Sequence, residues 1–194
     1  MSDRAAVFGF WLIKFRQICW AHLFRKFVAF SERDGRAGAI GRELLEYTRL
    51  IFEYWHGFEK GVLTREELDA WLRPVRREFE LLLERAASAA IPRLSRSCAN
   101  ILAHREALWR FITEEGVDPT NNHAERELRA FVLWRKGSFG SQSERGERFA
   151  ERLMTVAQTA RKQGKTVLQF IVASVKAHLD GVTPPRLIND AAIA

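Results

Sequence analysis

Apolar residues recur at helical spacing through most of this chain. From Trp20 to Glu32, Leu23, Phe27 and Phe30 follow one another at the steps of a single helix face, and Asp34-Gly35 ends the run. Two longer amphipathic helices follow. Ile40, Leu44, Tyr47, Ile51, Trp55 and Phe58 mark the apolar face of one, and Leu68, Leu72, Val75, Phe79 and Leu82 that of the other. Gly57 and Gly61 close the first, and Thr64 with Glu67 forms a capping box that starts the second, so the short connection makes them antiparallel neighbours. Pro74 predicts a kink. Ile91-Pro92 breaks the pattern, and a further helix is expected from about Ser95 to Glu115, carrying Ile101, Leu102, Leu108, Trp109 and Ile112 before Gly116. Residues 36–115 thus read as an all-helical module.

The flanks read differently. Val7 to Cys19 is rich in Phe, Trp, Ile and Val, interrupted by Lys14 and Arg16, which predicts a strand feeding the Trp20 helix. After Asp118, Pro119 and Thr120 lead into Asn121 and Asn122, which favour a helix start, so Glu125 falls on a first helical turn. Gly137 and Gly140 enforce a loop, and Ser141 with Glu144 is expected to cap the next helix, whose face is Phe149, Leu153, Val156 and Ala160. Gly164 ends it. Thr166 with Gln169 is expected to cap a last helix through Leu168, Phe170, Ile171 and Val175, and beyond Gly181 a small-residue tail predicts fraying.

Composition changes this picture only modestly. A chain of 194 residues with 47% hydrophobic and 28% charged positions is ordinary for a globular protein. The formal charge of +7, carried mostly by Arg, favours a nucleic-acid partner because the guanidinium fork suits phosphate. Two cysteines, Cys19 and Cys98, exclude a disulfide framework. With no export signal recognised and no run of membrane-spanning length, the expectation is a cytoplasmic protein without membrane contact. Cys19 and His22 have the spacing of a zinc half-site, but scattered histidines and an isolated Cys98 do not supply the convergent ligands that zinc needs.

The densest chemistry lies between Asp118 and Ser143, where Glu125 stands among Arg126, Arg129, Arg135 and Lys136. Each residue carries two readings. Glu125 is either a rigidly held catalytic carboxylate or, with Asn122 as N-cap, the returning half of a capping box. Arg126 and Arg129 are candidates to grip phosphate, although Arg129, four residues after Glu125, equally suits an intrahelical ion pair with it. Arg135 and Lys136 precede a Gly-Ser loop suited to a phosphodiester backbone, or they decorate a plain basic surface. Phe131, Trp134 and Phe139 either stack on unpaired bases or pack into a core, the second being the heavier alternative. His22 and Arg25 follow the expected strand, where side chains can face a site, although a half-buried structural histidine is the heavier alternative.

Taken together, SDR at residues 2–4, RQICWAHLFRKF at 16–27, DPTNNHAERELR at 118–129, WRKGSFGSQS at 134–143 and ERLMTVAQTARKQG at 151–164 resemble the IS66 family of insertion-sequence transposases. The resemblance implies a DDE transposase with an α/β RNase H-like core, three acids holding divalent metal, usually Mg2+, and an all-helical insertion between the second and third acids. Asp3 matches the second acid and Glu125 the third, both as catalytic residues and metal ligands. Arg126, Arg129, Arg135 and Lys136 are implied DNA contacts, with His22, Arg25, Asn121 and Asn122 in supporting positions beside Cys19. The first aspartate has no counterpart here. The expected fold is therefore mostly α: a truncated RNase H-like core with few remaining strands at 1–35, the helical insertion at 36–115, the C-terminal part of the catalytic core at 116–180, and a flexible tail at 181–194.

The expected function is that of a DDE-type transposase fragment acting in DNA transposition by metal-dependent phosphodiester cleavage and strand transfer, inactive alone. The alternative is a non-catalytic helical module that binds DNA or a transposase. Implied partners are insertion-sequence ends and target DNA, full-length transposase, or a second copy of the chain.

Overall fold

The computed structural model describes residues 12–188. The chain forms two compact units, Met1–Asn122 and His123–Ala194. In the first, a 3-10 turn (Ile13–Phe15) leads to α1 (Trp20–Ser31), α2 (Gly35–Glu59), α3 (Arg65–Ser88) and α4 (Leu94–Leu102), followed by a second 3-10 turn (Arg105–Leu108) and the short α5 (Arg110–Thr113). α1 packs on α2, α2 on α3, and α3 on both α4 and α5. The core is the set of apolar faces that periodicity marks: Leu23, Phe27 and Phe30 from α1, Ile40, Leu44, Ile51 and Trp55 from α2, and Leu68, Leu72, Phe79 and Leu82 from α3. Tyr47, Phe58 and Val75 are only partly buried against it.

Two local devices set the helix boundaries. Thr64 Oγ1 accepts from the Glu67 N–H at 3.2 Å while Glu67 Oε2 accepts from the Thr64 N–H at 2.8 Å, the reciprocal bonding that starts α3. α3 then runs on through Pro74 to Ser88. The turn between α1 and α2 depends on glycine. A Cβ on Gly41 would lie 2.4 Å from Ser31 N and 2.5 Å from the Phe30 carbonyl carbon, so only a residue without a side chain lets α2 touch the end of α1.

The expectation of an α/β RNase H-like core with remaining strands is overturned. Among the described residues every element is helical and no β-strand forms. Residues 7–11 of the predicted strand lie outside the described residues. The rest of it is the Ile13–Phe15 turn and an extended connection in which Ile18 makes an isolated bridge. A strand needs a ladder of partners along its edge, and this segment bonds instead to helix ends. Ile18 N donates to Ala107 O at 2.7 Å and Trp20 N to Pro119 O at 2.9 Å. The Gln17 amide nitrogen donates to Leu108 O at 3.0 Å and to Ile18 O at 2.8 Å, and its oxygen accepts from Phe111 N at 3.0 Å.

The same bonds explain a second difference. The helix expected from Ser95 to Glu115 is broken into α4, the 3-10 turn and α5. Gln17 and the Trp20 indole N–H, which donates to Leu108 O at 2.8 Å, take up backbone groups that an unbroken helix would bond internally. Arg65 closes the far end of α5, donating to Phe111 O at 3.1 Å and Ile112 O at 2.9 Å. The break also turns Trp109 inward, where its ring lies 5.0 Å from Trp20 and 5.9 Å from Phe79, with Trp20 and Phe79 themselves 5.2 Å apart. Tilted and edge-on aromatic pairs of this kind each add about 0.5–1.5 kcal/mol beyond the area they bury.

The second unit contains the rest of α6 (Asn122–Gly137), which begins at the boundary, then α7 (Glu144–Lys162) and α8 (Val167–Leu179). α7 packs on α8. α6 is tied to α7 by the Gln158 amide donating to Glu127 O at 3.0 Å and by a Lys162–Glu127 ion pair at 3.3 Å. Ser143, not Ser141, caps α7, accepting from Gly146 N at 3.1 Å, and Thr166 precedes α8 without a side-chain cap bond. Burial is slight. No residue of α6 is buried, α7 buries Ala150 and Ala160, and α8 buries Ala177.

Gln17 is 2% exposed, and replacing it by Leu keeps the volume but leaves the Phe111 N–H without its acceptor. Gln17→Leu is expected to lower unfolding free energy by about 1–3 kcal/mol, the cost of an orphaned buried donor, with little change in denaturant m-value. Equal denaturant midpoints for the two proteins would show that the amide does not hold the broken helix.

Candidate nucleic-acid interface

In the first unit, two sequence motifs far apart in the chain meet. Cys19, fully buried, immediately precedes α1, and its carbonyl accepts from His22 N at 3.2 Å. Its Sγ accepts from the Asn121 N–H at 3.4 Å across a separation of 102 residues. With the Trp20 to Pro119 bond beside it, the Asp118 to Asn122 segment is strapped to the start of α1. The Asn121 side-chain oxygen is buried without a hydrogen-bond partner. His22 is half-buried on the first turn of α1 and Arg25 is exposed. They follow an extended connection, so no strand end presents them. Asp3 lies outside the described residues.

In the second unit, Glu125 occupies the first turn of α6. Because Asn122 is the first helical residue rather than the residue before it, the capping-box geometry expected for Glu125 is displaced by one position. Arg126, Arg129, Arg135 and Lys136 are all exposed, but they do not share a face. Arg126, Arg129, Leu133 and Lys136 recur at alternating steps of three and four, which places them in one stripe about 15 Å long. Arg135 lies on another side of the helix. It lines a cavity of about 1080 Å³ together with Phe131, Phe139, Met154 and Lys162. Phe131 and Trp134 are half-buried with ring centroids 5.8 Å apart, in keeping with a packing role, whereas Phe139 is 92% exposed.

The residue that ties this unit together is Glu127, which bonds α7 through its carbonyl and its carboxylate. Nothing in its sequence neighbourhood distinguishes it from the other acids, since its partners Gln158 and Lys162 come from a different helix. The splitting of the four cations, by contrast, follows from helical periodicity alone.

The model of the transposase IS66 family matches residues 14–149. The chain belongs to the IS66 transposase family. The matched span includes Cys19, His22, Arg25, Asn121, Asn122, Glu125, Arg126, Arg129, Arg135 and Lys136, while Asp3 precedes it. An uncharacterized protein, y4qI of Sinorhizobium fredii (strain NBRC 101917 / NGR234), is 25% identical over 162 residues. That similarity covers 79% of this chain and 29% of the relative, so the chain spans under a third of that protein's length. No solved structure matches the chain significantly. Among the described residues, no helix is long and apolar enough to cross a membrane.

The donor types at the IS66-matched positions bear on the metal. Mg2+ takes oxygen ligands and keeps several waters, and Glu125 is the acid assigned by resemblance that lies within the matched span. The thiol of Cys19 and the imidazole of His22 suit a softer ion than Mg2+.

Removing the Cys19 sulfur tests the strap between the two family motifs. Cys19→Ala is expected to speed hydrogen exchange of the Asn121 amide and to lower stability by about 1–3 kcal/mol, the cost of leaving that donor without its acceptor. If exchange at Asn121 were as slow in the variant as in the native chain, Sγ would not be its acceptor in solution.

Proposed function

We propose that this chain is a DNA-binding helical module of the IS66 transposase family, without phosphodiester chemistry of its own. The observation that carries this reading is the exposed stripe of Arg126, Arg129 and Lys136 on α6. A helix face with three cations at this spacing matches a run of backbone phosphates, and such contacts hold a protein on DNA without reading its sequence. The formal charge of +7 adds a long-range attraction of the same sign. Insertion-sequence ends and target DNA are the natural partners for a member of this family.

Two-metal phosphoryl transfer needs several carboxylates brought together from separate rigid elements. Of the two acids assigned by resemblance, Glu125 alone falls within the family match. Every described element is a helix, which supports a binding role over a catalytic one.

A second reading, association with another protein, is favoured by α8. Leu168, Val172, Val175 and Leu179 are 70%, 44%, 51% and 77% exposed and recur at heptad spacing along the helix. Such a stripe suits another helix, supplied by a full-length transposase or by a second copy.

Duplex DNA binding measured over a range of salt concentrations tests the first reading. Log affinity is expected to fall linearly with log salt, and Arg126→Ala, Arg129→Ala and Lys136→Ala are each expected to flatten that slope by about one. Affinity that ignores salt would refute phosphate contacts. Nicking of DNA by the purified chain with Mg2+, abolished in Glu125→Gln, would refute the non-catalytic part. For the second reading, sedimentation alone and with full-length transposase is expected to reveal an association lost in Val172→Glu; a chain that stays monomeric in both mixtures argues against it.

A further inference from the structure

The loop joining α6 to α7 carries a side chain that its own fold does not use. Phe139 is 92% exposed, so its ring contributes little to burial. Its backbone is also in the left-handed region at φ +60°, which bulky L-residues rarely occupy, and Gly140 follows at φ +79°. Both features argue against phenylalanine here on folding grounds, and conformations of this kind cluster where a ligand is held. Phe131 and Trp134 make the contrast, since those rings meet each other and are half-buried.

The loop is held at both ends. The Ser138 N–H and hydroxyl each donate to Trp134 O at 2.9 Å, and Ser143 Oγ accepts from Gly146 N at 3.1 Å. A Cβ placed on Gly140 would lie 3.5 Å from Arg135 Cγ, so the stem of Arg135 runs alongside the loop. Arg135 and Lys136 are exposed just before it. An aromatic ring beside a cation matches the alternation of base and phosphate along a nucleic-acid strand. A protein partner that covered the ring with apolar surface would desolvate Arg135 at the same time.

We infer that Phe139 stacks on an unpaired DNA base while Arg135 holds a neighbouring phosphate. The inference deepens the DNA-binding reading and rests on it. Unpaired bases are the target because a lone ring without a polar edge offers only its π-face, and paired bases already have theirs covered by neighbours. The ring's exposure makes Phe139 free to leave without cost to the fold, which separates a binding role from a structural one.

The test compares Phe139→Ala and Phe139→Trp with the native full chain, using a short single-stranded oligonucleotide and a duplex of the same sequence at one salt concentration. Phe139→Ala is expected to bind the single strand about 5- to 100-fold more weakly, the range set by loss of one base–aromatic stack, and the duplex less than about 2-fold more weakly. Its melting temperature should match the native value. Phe139→Trp should restore single-strand affinity, with its indole fluorescence quenched on binding. Unchanged single-strand affinity in Phe139→Ala, or an equal loss on both DNAs, overturns the stacking role while leaving salt-dependent binding to the α6 stripe standing. A native chain that binds neither DNA overturns both readings.

Discussion

Gln17 commits its whole side-chain amide to a helix that stops short. Its nitrogen donates to Leu108 O and its oxygen accepts from Phe111 N, while Ile18 N and the Trp20 indole bond the carbonyls of Ala107 and Leu108. A helix can break inside a protein core only if the backbone groups released by the break find partners, because an unpaired buried amide costs about as much as a typical point mutation. Here those partners come from an extended segment some ninety positions earlier in the chain, a separation of 91 for the Gln17–Leu108 bond. With the break held open, Trp109 joins Trp20, Phe27 and Phe79 at the centre of the first unit.

That arrangement also sets the position of two of the family-matched strings relative to one another. The extended segment ends at Cys19, and its sulfur and the following amide bond Asn121 and Pro119. The motif before α1 and the motif before α6 therefore form one structural feature within the first unit. The unit thus resembles a clasp whose two halves are read separately in sequence. The core behind it is large and aromatic, and the α1–α2 contact is close enough that Gly41 admits no side chain.

The second unit is built on the opposite principle. Its helices bury alanines and leave Leu128, Phe149, Leu168 and Leu179 more than half exposed, so little of its apolar surface is withdrawn from water. Surface of this kind, next to cations arranged by helical periodicity, is typical of a part whose contacts lie outside itself. The first unit holds the dense core, and the second carries the exposed Arg126, Arg129 and Lys136 stripe and the Phe139 loop.

Local pattern determined most of the helices, the apolar faces of α1, α2 and α3, the capping box at Thr64, the membership of the IS66 family, and the three-and-four spacing that divides the α6 cations. These follow from the sequence by itself because side-chain direction on a helix, cap bonding and motif identity depend only on neighbours a few residues away. Tertiary structure alone decided that the segment before Cys19 is no strand, that the Ser95 to Glu115 helix is broken, and that Phe139 stands in solvent while Phe131 and Trp134 do not. A strand exists only where a ladder partner is present, and a helix breaks only where distant donors and acceptors take its backbone groups. Whether an aromatic ring is buried depends in the same way on which helices arrive to cover it, and none of those conditions is written in the residues alongside.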